Sequence, residues 1–400
     1  MNYQTAARFP RIRFKGFNAA WEKKPLGTLY TERNERGNDS LPILSVSIHS
    51  GVSTGELSGE ALGKKVRRSE DKSLYKHVYA GDLVLNMMRA WQGALGVAKI
   101  EGMVSPAYLT ATPGETIFPL FMDYGLRRPQ IVAQMNNLSY GVTDFRKRLY
   151  WDSFVRIEFD TPSVSEQRKI ATYFRDLEST IAFHQRKHEK LVALKKAMLQ
   201  KMFPKLGAVT PEVRFGEFSK RWEKKMLGAV GIFNPREKLP EVFEYVDLES
   251  VVGTEMVGHR RETRRTAPSR AQRLARKGDL FFQTVRPYQK NNHLFTLSDE
   301  NYVFSTGYAQ IRPHGDGNFL LSLMQCDDFV AMVLANCTGT SYPAISANTL
   351  SGIPVLIPSP GEQEKIGSYF RNLDALIVKH AAQIRKLQQI KLACLDEMFV

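Results

Sequence analysis

The 400-residue chain predicts an α+β fold: two mixed, strand-rich bodies joined by two long helices that form an antiparallel coiled coil, related by a pseudo-two-fold internal repeat. Three observations predict it. Residues 162–204 realign on residues 358–400 without a gap, an offset of 196 (358 − 162), with 19 identities in 43 positions. Each copy repeats apolar residues every seventh position, the spacing of a coiled-coil seam. The stretches before each copy carry short β-like runs punctuated by Gly and Pro. A doubled chain places two similar surfaces about a pseudo-two-fold axis, so its expected task is to read something at two places.

Residues 1–161 form the first body. It opens with P-R-I-R-F-K-G-F-N-A-A-W-E-K-K-P-L-G, Pro10 to Gly27, which realigns on Pro211 to Gly228 at the head of the second body. Trp21 and Trp222 fall at the same place in this pair and read as core aromatics. Leu83 to Met87 and Gly96 to Ile100 are its clearest strands.

Residues 162–206 are the first helical unit. Ser163, followed three positions later by Glu166, matches a capping box. Ile170, Leu177, His184, Leu191 and Met198 recur at seven-residue spacing, flanked by Phe174, Ile181 and Met202. A helix over about residues 165 to 203 is about 58 Å long at 1.5 Å per residue. Residues 207–357 form the second body, with strands expected at Asp279 to Gln283 and Gly352 to Ile357. Residues 358–400 are the second helical unit, whose seam is Ile366, Leu373, His380, Leu387 and Cys394.

Connectivity gives the helices their direction. The first leaves one body and arrives at the other, and the second starts where that other body ends, so the shortest return makes them antiparallel. Equivalent central residues then meet, His184 against His380, with Leu177 near Leu387 and Leu191 near Leu373. A polar residue in one layer of a coiled coil sets register, so the histidines are read as structural, with no metal site assigned.

Composition narrows the function. With 56 Lys and Arg against 41 Asp and Glu, the net charge is +15, which points to a polyanionic partner. The excess is 22 − 16 in residues 1–161, 10 − 4 in 162–206, 18 − 16 in 207–357 and 6 − 5 in 358–400. Three cysteines, without C-x-x-C spacing, fit a reducing cytosol. No apolar run reaches membrane-spanning length and the N-terminus lacks a signal core, so a cytoplasmic location is expected.

The sharpest basic cluster runs from His259 to Lys277, with eight Arg or Lys against one Glu. Arg260, Arg261, Arg264 and Arg265 stand in it. Its counterpart in the first body is Lys64, Lys65, Arg67 and Arg68. Both clusters suit phosphate contact.

Two quartets carry the reading chemistry. Arg89-Ala90-Trp91-Gln92 falls on Arg286-Pro287-Tyr288-Gln289, each just after a Gly-Asp-Leu string. Each offers a guanidinium suited to guanine, an aromatic ring and an amide suited to adenine. Lys290, Asn291 and Asn292 extend the second reader. A polar loop precedes each long helix: Tyr140, Thr143, Arg146, Lys147 and Arg148 in the first body, and Thr338, Thr340, Ser341 and Tyr342 in the second.

Catalytic motifs are missing. Asn234-Pro235-Arg236-Glu237 and Asp160-Thr161-Pro162-Ser163 are the nearest strings to an adenine-methyltransferase tetrapeptide, and neither ends in an aromatic residue. Gly59 to Lys65 resembles a phosphate loop, but its second Gly comes early and Lys65 stands where Ser or Thr would hold magnesium. Glu22-x-Lys24 and Glu223-x-Lys225 lack the Pro-Asp partner of a nuclease. No catalytic residue is assigned.

The order of body, helix opening P-x-x-x-E-Q-x-K-I-x-x-Y-F, body and second helix resembles the specificity subunit of type I restriction-modification systems, over essentially the whole chain. Gly81-Asp82-Leu83 with Ser105-Pro106-Ala107-Tyr108, and Gly278-Asp279-Leu280 with Ser305-Thr306-Gly307-Tyr308 and Thr340 to Ser346, agree with it. The resemblance implies two target recognition domains, each reading half of a bipartite, asymmetric site in double-stranded DNA. It implies helices that set the gap and dock two modification (methyltransferase) subunits, with two restriction (motor-nuclease) subunits completing the complex. S-adenosylmethionine, ATP and magnesium would then sit on those partners, with no cofactor in this chain. The alternatives are a single-chain DNA methyltransferase or nuclease, which would transfer label or cut alone, and a coiled-coil adaptor between proteins, which would show no DNA sequence preference.

Overall fold

The computed structural model describes residues 8–48, 51–54, 73–141, 147–339 and 341–400. The chain divides into two compact units, Met1–Phe183 with Gln383–Val400, and His184–Ala382. Both divisions fall inside the long helices, Val164–Lys201 and Pro360–Glu397, so each unit owns a segment of both.

In the first unit the strands are β1 (Glu22–Pro25), β2 (Tyr30–Glu32), β3 (Leu44–Ser47), β4 (Gly51–Thr54), β5 (Lys76–Val78), β6 (Leu83–Asn86), β7 (Leu95–Val97), β8 (Gly102–Val104), β9 (Tyr108–Pro113) and β10 (Glu158–Thr161). The largest sheet has the order β2-β9-β6-β7 and is antiparallel throughout. Leu83, Val84 and Leu85 are each fully buried, which is why β6 reads as a continuous apolar run and lies inside the sheet. Smaller pairs are β1 with β10, β3 with β4 and β5 with β8.

The second unit holds β11 (Glu223–Met226), β12 (Gly231–Phe233), β13 (Val242–Val246), β14 (Val251–Val252), β15 (Glu255–Met256), β16 (Arg260–Thr263), β17 (Ala271–Leu274), β18 (Leu280–Gln283), β19 (His293–Leu294), β20 (Tyr302–Ser305), β21 (Tyr308–Pro313) and β22 (Pro354–Ile357). Its sheet β12-β21-β18-β19 has the plan of the first unit's main sheet, and β11 with β22 repeats β1 with β10. A second four-stranded sheet, β16-β13-β20-β17, contains one parallel pair, β13 with β20. Arg260 and Arg261 of the basic cluster thus lie on the edge strand β16.

The two short motifs that recur in the sequence lock onto each other. Arg13, from the opening motif, donates from Nε and Nη2 to the Glu166 carboxylate at 2.6 and 2.7 Å, and Arg214 does the same to Glu362 at 2.7 and 2.7 Å. All four carboxylate oxygens are out of solvent, so the fork-to-fork pairing carries their charge. Glu166 therefore holds an arginine, whereas a capping box would send it back to the helix start; the cap half remains as a long Glu166 N–H to Ser163 Oγ contact of 3.4 Å. The neighbouring Gln167 and Gln363 donate from Nε2 to the Pro162 and Pro358 carbonyls, fixing each helix entry. Trp21 and Trp222 are both 4% exposed, in the core as expected.

All ten seam positions of the helices are buried or half-buried. In the first unit Tyr173 Oη lies 3.4 Å from Cys394 Sγ, and Lys391 pairs with Glu178 at 2.6 Å. In the second, His184 Nδ1 and His380 Nδ1 are 2.8 Å apart and Lys195 meets Asp374 at 2.5 Å. Within each unit the partner number falls as the helix number rises, so the segments run antiparallel. Burial, together with the positive charges of His184, Lys379, Lys187 and His188, holds His380 below the ordinary imidazole range. Among the described residues no single helix is long and apolar enough to cross a membrane.

Candidate nucleic-acid interface

Each quartet sits on the turn that leaves the buried central strand of its sheet. In the first unit Asp82, buried, accepts the Tyr79 N–H at 2.8 Å and an Arg33 ion pair at 2.7 Å, which fixes the entry to β6. After β6, Asn86 Oδ1 accepts the Met88 N–H and the chain turns through Ala90–Gln92 to Gly93, whose φ of 88° closes the turn without a Cβ penalty. Ala90 is fully buried, and Trp91 is half-buried with its indole N–H on the Met88 carbonyl at 2.9 Å. Arg89 and Gln92 are exposed.

The polar loop before the first long helix lies beside this turn, because the Leu149 N–H donates to the Met87 carbonyl at 2.9 Å. Tyr140 is half exposed, bridges Arg148 through both backbone groups and packs on Tyr150 with ring centroids 4.8 Å apart. Lys147 is turned onto Asn136 Oδ1 at 3.1 Å, while Arg148 is exposed.

The second unit repeats the arrangement with different chemistry. Asp279, fully buried, takes Arg312 through both carboxylate oxygens at 2.8 and 2.9 Å and Gln310 Nε2 at 2.7 Å. Its partner Arg312 is raised above its ordinary value by the Asp279 hydrogen bonds first, with Glu237 adding to them. After β18 the chain turns through Arg286, at φ 54°, and ends at Lys290, at φ 56°; both are left-handed without being glycine. The Arg286 N–H donates to the Pro343 carbonyl at 2.8 Å and the Ile345 N–H to the Thr284 carbonyl at 3.0 Å. These bonds bring Pro343 to Ile345 against the quartet, as Leu149 is brought against it in the first unit. Arg286, half-buried, spreads over the Tyr342 ring at 4.4 Å, a stack that holds the guanidinium in place. Tyr288 is 49% exposed and Tyr342 63%. Thr338 bridges Ala344, and Ser341 is exposed.

Several expected contacts are already engaged within the protein. Asn292 is a correction: it is 1% exposed and its Oδ1 accepts the Gln283 N–H at 2.9 Å, so it holds the turn and presents nothing to a ligand. Asn291 Oδ1 takes the Gly253 N–H at 2.8 Å. Lys290 Nζ reaches the Gln325 carbonyl and Asp327, and Gln289 Oε1 takes Gln283 Nε2 at 2.9 Å. Of the arginine cluster, Arg260 is held by Asp247 at 2.6 Å and Glu262 at 3.0 Å, and Arg264 by Glu241 at 2.6 Å. Arg261 and Arg265 are exposed and have no ion-pair partner among the described residues. Lys64, Lys65, Arg67, Arg68, Thr143, Arg146 and Thr340 lie outside the described residues.

Sequence reasoning missed the joining of quartet and polar loop, and missed Pro343, whose carbonyl receives Arg286. The signal was present as equal placement in the two repeats, since both loops stand between the quartet and the long helix. It also missed Asp247, which ties Ser250 and Arg260 together. Burial pushes its carboxyl up, but those hydrogen bonds outweigh burial and leave it below its ordinary value.

No protein-family model matches the chain. Over 140 residues it is 29% identical to the type I restriction enzyme HindI specificity subunit of Haemophilus influenzae, a match covering 33% of this chain and 30% of that relative's length. Its fold is similar to that of the type I restriction-modification S subunit from M. genitalium, with a TM-score of 0.61, 15% identity and 98% and 99% of the two chains covered. A chain solved in work on complex assembly and conformational transition of the type I R-M system matches with a TM-score of 0.50, 16% identity and coverage of 96% and 99%. The chain thus resembles type I specificity subunits in sequence over about a third of its length and in fold over nearly all of it.

Proposed function

We propose that this chain is the DNA-reading subunit of a type I restriction-modification complex, each unit reading one half of a bipartite site in double-stranded DNA. One observation carries the reading: in each unit an Arg-x-aromatic-Gln turn and the polar loop before a long helix are hydrogen-bonded into one exposed surface. Arginine held on a scaffold is the side chain suited to guanine edges, and amides to adenine. A net charge of +15 adds the sequence-independent attraction to phosphates. The turns differ at Gly93 and Lys290, so the two half-sites should differ.

The long helices, in this reading, form one antiparallel coiled coil that sets the gap between half-sites and docks two modification subunits, with two restriction subunits beyond them. The antiparallel pairs seen in each unit support the coil, and exposed Val192, Leu194, Leu376, Val378 and Leu392 on the helices support docking. The chain itself makes and breaks no bonds; S-adenosylmethionine, ATP and magnesium belong to the partners. The residues offered for DNA contact are Arg89, Gln92, Tyr140, Arg148, Arg261, Arg265, Arg286, Tyr288, Ser341 and Tyr342.

Mapping methylated adenines in cells with and without the gene tests this. A two-part motif that disappears with the gene is expected. Methylation or cleavage by the purified chain alone, or an unchanged methylome, overturns it.

A further inference from the structure

We propose that the β14–β15 hairpin of the second unit is a further base-reading element, positioned over the Arg286 turn by Asn291 and His293; this rests on the DNA-reading function above. The hairpin turns at Gly253, whose φ is 62°, and a Cβ built there would meet nothing within 4 Å, so the tip faces open space. Two side chains from just beyond the reading turn hold it. Asn291 Oδ1 accepts the Gly253 N–H at 2.8 Å, and His293 Nδ1 meets the Thr254 carbonyl at 2.9 Å. At the base, Asp247 accepts from the Glu249 and Ser250 N–H groups and from the Ser250 hydroxyl. The same carboxylate binds Arg260 on the edge strand. Hairpin, reading turn and arginine strand are therefore registered on one another.

What the tip offers is specific. Val252 and Glu255 are directly opposite in the hairpin register, so they share one face. Val252 is 60% exposed and Glu255 is exposed. An exposed carboxylate beside an apolar side chain would repel phosphates, so against DNA this face suits the floor of the major groove. There a glutamate accepts from the cytosine N4 amine and a valine packs on a thymine methyl. Arg261 and Arg265, exposed on and just beyond the edge strand that Asp247 ties to the hairpin base through Arg260, supply the phosphate contacts that let such a tip approach. Asn291 acts as a positioning residue, which explains why its amide oxygen is spent on Gly253.

The test uses the assembled complex and duplexes carrying the mapped site, each base pair of the half-site lost in Arg286→Ala being varied in turn. Glu255→Gln and Val252→Ser should each relax discrimination roughly tenfold at one base pair of that half-site and leave the other half-site unchanged. Asn291→Ala should lose the same discrimination, and Asn291→Asp, which keeps an acceptor for the Gly253 N–H, should retain it. If Glu255→Lys instead tightens every sequence equally without changing discrimination, the tip meets phosphates and the inference falls. It falls also if all hairpin variants read as wild type. A wild-type complex with no sequence preference defeats the underlying DNA-reading function, a different outcome from either.

Discussion

Arg89–Gly93 and Arg286–Lys290 are one turn built in two ways. In the first unit Arg89 sits at φ −134° and glycine takes the left-handed closing position, so the backbone carries no strain and the exposed Arg89 and Gln92 are held by little. In the second unit an arginine and a lysine both occupy left-handed conformations, each costing about 1–2 kcal/mol for a residue with a Cβ. That strain persists because the surroundings fix it: Pro343 and Tyr342 hold Arg286, while Gln325 and Asp327 hold Lys290. Strain of this kind is stored where a fixed geometry serves function. If the turns read DNA as proposed, the first would adapt to its half-site and the second would be set before DNA arrives.

Both turns stand on the same Arg–Glu frame, and breaking that frame should give the largest effect. Glu166→Ala and Glu362→Ala each strand a mostly buried arginine, Arg13 or Arg214, whose side chains are 14% and 15% exposed. Loss of about 3 kcal/mol is expected from each, as for other buried pairs broken from one side. Denaturant unfolding measures it. Equal losses keep the two frames equivalent, and a loss in only one would mean the turns differ because their scaffolds do.

Arg286→Ala against Arg89→Ala comes next. A pre-set guanidinium gives up its full discrimination, so Arg286→Ala should weaken recognition of its half-site by about 100-fold, near the upper part of the range for a bidentate base contact. Arg89→Ala should cost about tenfold, because ordering a free side chain already offsets part of its contact. Methylation rates on duplexes with one half-site altered would separate the two, and equal losses would remove the distinction between a pre-set and an adaptable reader.

These effects trace back to residues that the sequence displays unequally. The central strands β6 and β18 were legible because Leu83 to Leu85 and Leu280 to Phe282 are apolar without interruption, and the helices because their seven-residue spacing survives for five layers. The quartets were legible through their repeat after Gly-Asp-Leu. The partners of the site were not. Asn292 and Gln92 look alike as exposed-type amides, yet one is sealed under Gln283 and the other is open, a difference set by how the turn folds back. Arg260 and Arg261 are sequence neighbours on an edge strand, and alternation sends only the first toward Asp247. Whether a charge is free or spent is decided by residues distant in the chain.

Exchanging the closing residues separates backbone strain from side-chain contacts. Gly93→Ala should cost about 1 kcal/mol, since the φ of 88° penalises a Cβ although Val132 at 3.8 Å leaves room for it. Lys290→Gly removes a comparable strain but deletes the Nζ that the Gln325 carbonyl and Asp327 accept from, so stability should change little while discrimination at the Arg286 half-site falls. Thermal unfolding paired with half-site methylation reads both. A clear stability loss in Lys290→Gly would show that its side-chain contacts, rather than its backbone, dominate the turn.

The smallest effect concerns pH and separates the units through a histidine that only the second turn uses. Burial holds His293 below its ordinary value of 6.5, with the Thr254 hydrogen bond and the Glu255 charge opposing it only in part. The folded ring refuses a proton that the unfolded chain accepts, so its contribution is full above about pH 6.5 and is lost as the pH falls from there toward the folded value. Glu237, where Arg276 and Arg312 outweigh burial, and Asp247 are both held below ordinary values of 4.5 and 3.8, so their contributions are lost only at lower pH. Between about pH 7.5 and 5.5 the wild-type chain should therefore lose some stability, together with discrimination at the base pair under the hairpin tip, because burial penalises the charged ring and favours states in which it leaves its place beside Thr254 for water. His293→Gln, which keeps a side-chain donor but cannot titrate, should flatten the discrimination slope and reduce the stability slope to the share of His380, which is also held below its ordinary value; a discrimination slope that survives this substitution would assign that response to another group.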